Sequence, residues 1–452
     1  MMRLLRILLP LTLALAAVPA GASASPAAVA PAREFAPRQL LVKFEGQRLD
    51  RALPLPRGTA VERAAAILRQ NPRVAYAEPD YIATASAIQG APFDPNDSGS
   101  IEATAATAGE SGRWSYKQWN FLAPDGPETA ALPISPGGID APTAWRNLVE
   151  AGRPGGTGVV VAVLDSGIAY RSYGSEFRRS PDFGPGQFVP GYDFVGHDRL
   201  PLDENGHGTH VAGTIAEKTG NGFGLTGLAY GAKLMPVRVL DRQGRGDALA
   251  IARGIRFAVA HDADVINMSF NFPCGKRVPM VDEALHQAYL AGVVAVAAGG
   301  NLGSEGCVSE PATGPRVIGV GGTTEGGCLG SYSLAGESID LVAPGGGIPR
   351  PGCLSVSSRP IYQVTLRPGS TSEFTIPATY VGTSMAAAHV SGAAALVLAS
   401  KAINPKLEPR LLVDQVTKRL RQTARDLGLP ESQQGAGLLD VGRATRPTKR
   451  TT

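Results

Sequence analysis

The sequence predicts an α/β fold, a mostly parallel sheet flanked by helices on both faces, preceded by a small α+β unit. Three observations predict it. From residue 159 onward, short apolar runs alternate with helical stretches. Those runs are apolar at nearly every position, as strands buried on both faces are, and do not alternate with polar residues. Before residue 90, by contrast, a short alternating strand, an amphipathic helix and a second strand stand apart, followed by a stretch of small residues.

The first 24 residues read as an export signal. Arg3 and Arg6 supply positive charge, 4–18 is apolar but broken by Pro10, and Ala22-Ser23-Ala24 fits a cleavage site. The run is too short and interrupted for a membrane span, and no cysteine follows the site to carry a lipid. The expectation is a secreted protein with no stable membrane anchor. In 36–86, residues 38–44 and 74–82 read as strands and 61–70 as a helix. Residues 87–113, rich in Ala, Ser, Thr and Gly without apolar periodicity, read as a flexible linker. Ordered sequence resumes at Trp114 and runs to Arg443, and 444–452 is a basic tail.

Within 114–443, strands are expected over 159–165, 237–240, 264–269, 293–298, 317–320 and 339–342. Helices are expected from His207, over 248–260 and 281–291, and from Ser384 through a run of alanines. Residues 362–366 and 373–376 flank Pro368-Gly369 and read as a hairpin.

Four segments carry chemistry. Asp165 ends an apolar strand, the end at which open α/β sheets gather catalytic groups. In Asn205-Gly206-His207-Gly208-Thr209-His210, His207 opens a helix. In Gly382-Thr383-Ser384-Met385-Ala386, Ser384 sits at a helix N-terminus, whose N–H groups and dipole favour a developing negative charge. Val293 to Gly300 is an apolar strand ending in Gly-Gly before Asn301. A serine hydroxyl needs a base in reach, the base needs an orienting carboxylate, and the oxyanion needs a donor. Asp165, His207, Ser384 and Asn301 supply those residue types. Read blandly, Asn301 caps a turn after Gly-Gly, and the alanine run is a tightly packed core helix. His207 and His210 as a metal pair lack a third ligand at metalloprotease spacing.

Together these motifs resemble the subtilisin-like serine protease (subtilase) family, in which Asp, His and Ser follow in that chain order. The resemblance implies a serine endopeptidase acting through an acyl-enzyme on Ser384, with His207 as base, Asp165 as its partner and Asn301 in the oxyanion hole. His210 takes a structural role. The unit at 36–86 resembles the inhibitor-like, ferredoxin-like propeptide of the family. That implies a self-processing zymogen, cut near Ser86, whose propeptide is an intramolecular inhibitor. Gly244, Arg245 and Gly246 match the edge that pairs with an extended substrate, and Ser269, Phe270 and Asn271 match the opposite edge and the rim of the P1 pocket. Asn271 and Phe272 stand where the family usually has glycine, which implies either a narrow pocket that takes small or medium uncharged P1 residues or a loop moved outward that leaves the pocket wide. Arg245 implies poorer cleavage with Lys or Arg at P2 or P4. Asn221, in a glycine-rich loop, resembles a calcium-binding position, though the sequence identifies no carboxylate partner. No cofactor is expected for catalysis, with calcium at most a structural ion.

The four cysteines Cys274, Cys307, Cys328 and Cys353 all lie in the second half. In an exported chain an even count implies disulfides, and four cysteines allow three connectivities. The resemblance places the loops after Asn271 and after Asn301 near one another, which implies Cys274–Cys307 and Cys328–Cys353. A net charge of +4 over 452 residues is too small to imply a nucleic-acid partner. The expected partners are protein or peptide substrates, and the expected state is a monomer. Two other readings remain. A non-proteolytic esterase could use the same nucleophile, although Ser384 lies in Gly-x-Ser-x-Ala, not the Gly-x-Ser-x-Gly elbow of α/β-hydrolases. A silent binding protein could retain the fold, against which the four intact site residues argue.

Overall fold

The computed structural model describes residues 35–44, 51–81, 95–101, 112–125, 132–303 and 306–448. The export signal at 1–24 and the expected processing point at Ser86 lie outside them, as do 87–94 and 102–111 of the expected linker and 449–452 of the tail. Among the described residues no helix is long and apolar enough to cross a membrane. The chain divides into two compact units, 1–88 and 89–452.

The first unit has three strands and one helix: β1 (Phe35–Phe44), β2 (Arg51–Pro54), α1 (Val61–Arg69) and β3 (Val74–Tyr81). They form an antiparallel sheet in the order β2-β1-β3. Leu40 and Val42 alternate along β1 onto one face, where they meet Val61 and Ala65 of α1 and Val74 and Ala77 of β3. This is the α+β unit expected, with β2 added. Four residues between prolines and charges give too short a pattern to reveal a strand.

The second unit is built on a seven-stranded, wholly parallel sheet. Its elements are α2 (Ala141–Glu150), β4 (Val160–Asp165), β5 (Tyr192–Asp193), α3 (His207–Ala216), β6 (Lys233–Arg238), α4 (Ala248–Ala260), β7 (Val265–Met268), α5 (Pro279–Leu290), β8 (Val294–Ala298), β9 (Val317–Thr323), β10 (Leu341–Pro344), the hairpin β11 (Thr365–Leu366) and β12 (Phe374–Thr375), α6 (Thr383–Ala399), α7 (Pro409–Thr423), α8 (Glu431–Gln434) and α9 (Val441–Thr445). The strand order is β10-β9-β8-β7-β4-β6-β5. Successive residues of one strand enter opposite cores. Val161 and Val163 of β4 join a core made with α2, α3, α6, α7 and α9, while Ala162 and Leu164 join the core under α4 and α5. Burial on both faces is why these strands are apolar throughout.

The third strand begins earlier than expected, at Lys233, and carries Pro236. Leu234 donates its N–H to Gln187 on the β5 side, and Pro236, two residues on, faces the same side. Strand β5 pairs only from Tyr192 opposite Val237, so the missing proline N–H deprives the sheet of no ladder bond there.

Of the stretch read as a linker, residues 95–101 are fixed against the loop that follows α3. Gly99 and Ser100 exchange backbone hydrogen bonds with Gly224, and the fully buried Asp97 accepts the N–H groups of Gly220 and Asn221. Both expected disulfides are formed, Cys274–Cys307 and Cys328–Cys353.

Candidate active site

Four parallel elements end or begin at one place. Asp165 is the last residue of β4, fully buried, and His207 is the first of α3. His207 Nδ1 lies 2.8 Å from Asp165 Oδ1, while the imidazole remains one quarter exposed. Burial pulls the His207 pKa down, but the charge and hydrogen bond of Asp165, with Asp203 beyond it, outweigh that and hold it above the usual histidine value. The arrangement fixes the tautomer that leaves Nε2 free to accept a proton.

Asp203 secures the start of α3. Its buried carboxylate accepts the N–H groups of Asn205, Gly206 and Thr209 and the hydroxyls of Ser166 and Thr209. His210, one turn into α3, is stacked on Tyr380 with ring centroids 4.0 Å apart and donates Nε2–H to Ile361 O. Burial lowers its pKa to about 3, so it stays neutral and structural.

Ser384 stands in the first turn of α6, a helix buried on every side except at Leu398. Only small residues let a helix sit that deep, which explains the alanines. Gly382, before it, has φ +147, and a Cβ there would sit 3.1 Å from the Asn301 carboxamide. Asn301 Oδ1 accepts from both the N–H and the hydroxyl of Thr383, so the amide nitrogen is turned outward. Among the described residues, neither Asn301 Nδ2 nor the Ser384 N–H has a hydrogen-bond partner, so both donors remain available. The Ser384 hydroxyl donates to Ser269 O at 3.1 Å and not to His207. Hydrogen bonds of this kind commonly form only with substrate in place.

The remaining sequence candidates fall around this point. Ser269 and Asn271 follow β7. Ser269 Oγ donates to the Ser384 carbonyl, and Asn271 Nδ2 donates to Ala298 O at 2.6 Å. Phe270 packs against the α4–α5 core. Gly244–Gly246 is not a strand but a loop closed on Asp241, which accepts from Gln243, Gly244 and Arg245 and donates to Arg245 O. Asn221 lies apart, in the loop after α3, and donates to Asp182 Oδ1 at 2.8 Å. Asp182 and Asn221 meet across 39 residues of sequence, a pairing no local spacing reveals. Burial pushes the Asp182 pKa well up, and Asp97 beside it is raised to about 7 by burial against the opposing N–H bonds. Among the described residues no three His, Cys, Asp or Glu side chains converge as a metal cage. Sequence reading also missed Asp203 and Thr383. An acid three residues before a helix-opening glycine, and a hydroxyl beside the nucleophile, were the available signals.

The profile of the subtilase family matches residues 156–437. This chain belongs to the subtilase family. It is 33% identical to a thermophilic serine proteinase of Bacillus sp. (strain AK1), over 80% of this chain and 72% of the relative. Subtilisin Savinase of Lederbergia lenta is 37% identical over 64% of this chain and 92% of its own length. Subtilisin E of Bacillus subtilis (strain 168) is 37% identical over 64% of this chain and 66% of its own length. Among solved structures, a protease of Pseudoalteromonas arctica PAMC 21717 superposes with a TM-score of 0.56 at 32% identity, covering 68% of this chain and 94% of that one. The fold is therefore subtilisin-like, and the protein is a subtilisin-type serine endopeptidase acting on protein substrates.

Proposed function

We propose that this subtilase is secreted as a zymogen and hydrolyses peptide bonds through an acyl-enzyme on Ser384. The observation that carries the reading is the His207–Asp165 pair at 2.8 Å, on elements that place Ser384 and Asn301 at the same sheet edge. His207 Nε2 takes the proton of Ser384 Oγ as the oxygen adds to the substrate carbonyl. Asp165 stabilises the imidazolium. The oxyanion rests on Asn301 Nδ2 and the Ser384 N–H. His207 then delivers its proton to the leaving amine; a water molecule, deprotonated by His207, next adds to the acyl carbon, and His207 returns that proton to Ser384 Oγ as the C–Oγ bond breaks and the acid leaves.

The Ala-x-Ala signal and two disulfides support secretion. The separate α+β unit supports a propeptide that chaperones and inhibits. The substrate would run between the Gly244–Gly246 loop and Ser269–Asn271; because the Gly244 and Arg245 N–H groups and the Arg245 carbonyl are bonded to Asp241, backbone pairing on the first side needs that loop to open. The Asp182 and Asp97 carboxylates and the loop carbonyls are hard oxygens of the kind calcium takes, whereas Asn221 turns its amide nitrogen to Asp182 and its oxygen to the Phe223 N–H, so its carboxamide would have to turn over to act as a ligand. Calcium held there would neutralise the buried acids at Asp182 and Asp97 and secure the loop after α3. It takes no part in the chemistry.

The test is Ser384→Ala. The variant should cleave no casein, take no fluorophosphonate label and accumulate as an uncut precursor, while the wild type matures to an N-terminus near Ser86. A variant that digests casein at the wild-type rate removes the nucleophile assignment. A secreted form starting upstream of Arg38 removes the zymogen.

A further inference from the structure

A slot beside the nucleophile is closed by a side chain particular to this sequence. Strands β7 and β8 run in register through Met268 opposite Ala297. Past those residues the two chains part, with Ser269 and Asn271 on one side and Gly299, Gly300 and Asn301 on the other. Ser384 lies at the mouth of the gap, its Oγ 3.1 Å from Ser269 O. An acyl carbon on Ser384 that turns its oxygen to Asn301 and its leaving group to His207 directs its remaining substituent into this gap. That substituent carries the P1 side chain.

The gap is barred. Asn271 Nδ2 donates to Ala298 O at 2.6 Å, from one wall to the other. Behind the bar the space is filled. A Cβ on Gly300 would lie 2.5 Å from Leu334 Cδ1 and 3.8 Å from Asn271 Oδ1. Leu334 is buried, and neither it nor Asn271 carries charge. The walls are also held at fixed separation. Cys274 is bonded to Cys307, Phe272 N–H donates to Glu310 O at 2.7 Å, and Val278 N–H donates to Glu310 Oε2 at 2.7 Å. The loop has not moved outward to make room for Asn271. It is tied to the segment after Asn301.

We propose that the Asn271–Ala298 bar makes Asn271 the specificity-determining residue of this enzyme, limiting P1 to Gly, Ala or Ser. The inference rests on Ser384 being the nucleophile. A larger side chain must break the bar, which strands the buried Ala298 carbonyl without a donor, and must then displace Leu334. Unpaired polar groups of this kind discriminate more strongly than lost apolar contact does.

The test compares peptide anilides that share P2 to P4 and carry Ala, Leu, Phe or Arg at P1. The wild type should favour Ala over Leu and Phe by at least about tenfold in kcat/KM, within the range for pocket discrimination. Asn271→Gly should raise the Phe-to-Ala ratio by about tenfold or more. Asn271→Asp keeps the volume but sets a carboxylate against Ala298 O, and should raise Arg relative to Ala. It carries the test if the glycine variant does not fold. A wild type that prefers Phe or Leu, or ratios unmoved in every folded variant, overturns the proposal. Fluorophosphonate labelling separates the two levels. Labelled wild type that cleaves none of the peptides overturns the P1 assignment and leaves the nucleophile standing, whereas unlabelled wild type overturns both.

Discussion

Cys274–Cys307 and Cys328–Cys353 join residues 33 and 25 apart in sequence. The chain-entropy relation for a cross-linked loop assigns them about 3.7 and 3.5 kcal/mol at 25 °C. The catalytic unit spans 364 residues (452 − 89 + 1). At about 2.1 cal/mol/K per residue its unfolding entropy is about 760 cal/mol/K, so loss of either bond should lower Tm by about 5 °C. Calorimetry of the two double serine variants, Cys274→Ser/Cys307→Ser and Cys328→Ser/Cys353→Ser, on a Ser384→Ala background measures this without self-digestion. The two losses should be nearly equal. Their effects on specificity should not be. The first bond ties the loop after Asn271 to the segment after Asn301, the walls of the proposed P1 slot, whereas the second closes a loop against Leu427 and Leu429, so only the first pair should relax the P1 profile in an active background. An unchanged Tm in either variant refutes the entropic estimate. Equal broadening of the P1 profile in both refutes the idea that the first bond sets the slot width.

The pH profile follows from His207. The base works only when neutral, and Asp165 holds its pKa above the usual value, so kcat/KM should fall as pH drops through a midpoint above 6.5. Asp165→Asn leaves burial as the dominant influence. It should move that midpoint below 6.5 and lower kcat by about 10⁴, the loss that the same change causes in a trypsin-type triad. An unmoved midpoint in pH–rate profiles would count against the pairing. For calcium, free ion about 1,000-fold above its Kd stabilises by about 4 kcal/mol, again about 5 °C for this unit. Chelation should remove that increment from the wild type and change nothing in Asp182→Asn, and a wild type indifferent to chelator contradicts the site.

The catalytic domain was legible because each catalytic side chain sits inside a long local pattern. Asp165 closes an apolar run, His207 opens a small-residue helix, and Ser384 precedes a run of alanines that only a buried helix explains. What sequence could not show depends on contacts between distant segments. Asp182 meets Asn221, Thr383 turns the Asn301 amide, and Asn271 reaches Ala298, none of them a spacing along the chain. The strand expected over 237–240 lies over 233–238, and Pro236 is tolerated within it because β5 pairs only from Tyr192 opposite Val237. Residues 95–101 read as linker because their order comes from backbone bonds to Gly224 and from one buried aspartate, neither of which leaves apolar periodicity.

That short clasp has a consequence for ageing of the enzyme. Helix α3 begins with His207, the base of the proposed mechanism, and runs directly into the loop that Asn96, Asp97, Gly99 and Ser100 hold. Processing that stops before Pro95 leaves the clasp intact. A nick a few residues later severs it and frees the far end of the helix whose near end aligns His207. If the chain matures as proposed, this clasp limits how far its new terminus can be shortened before the cutting edge loses its footing.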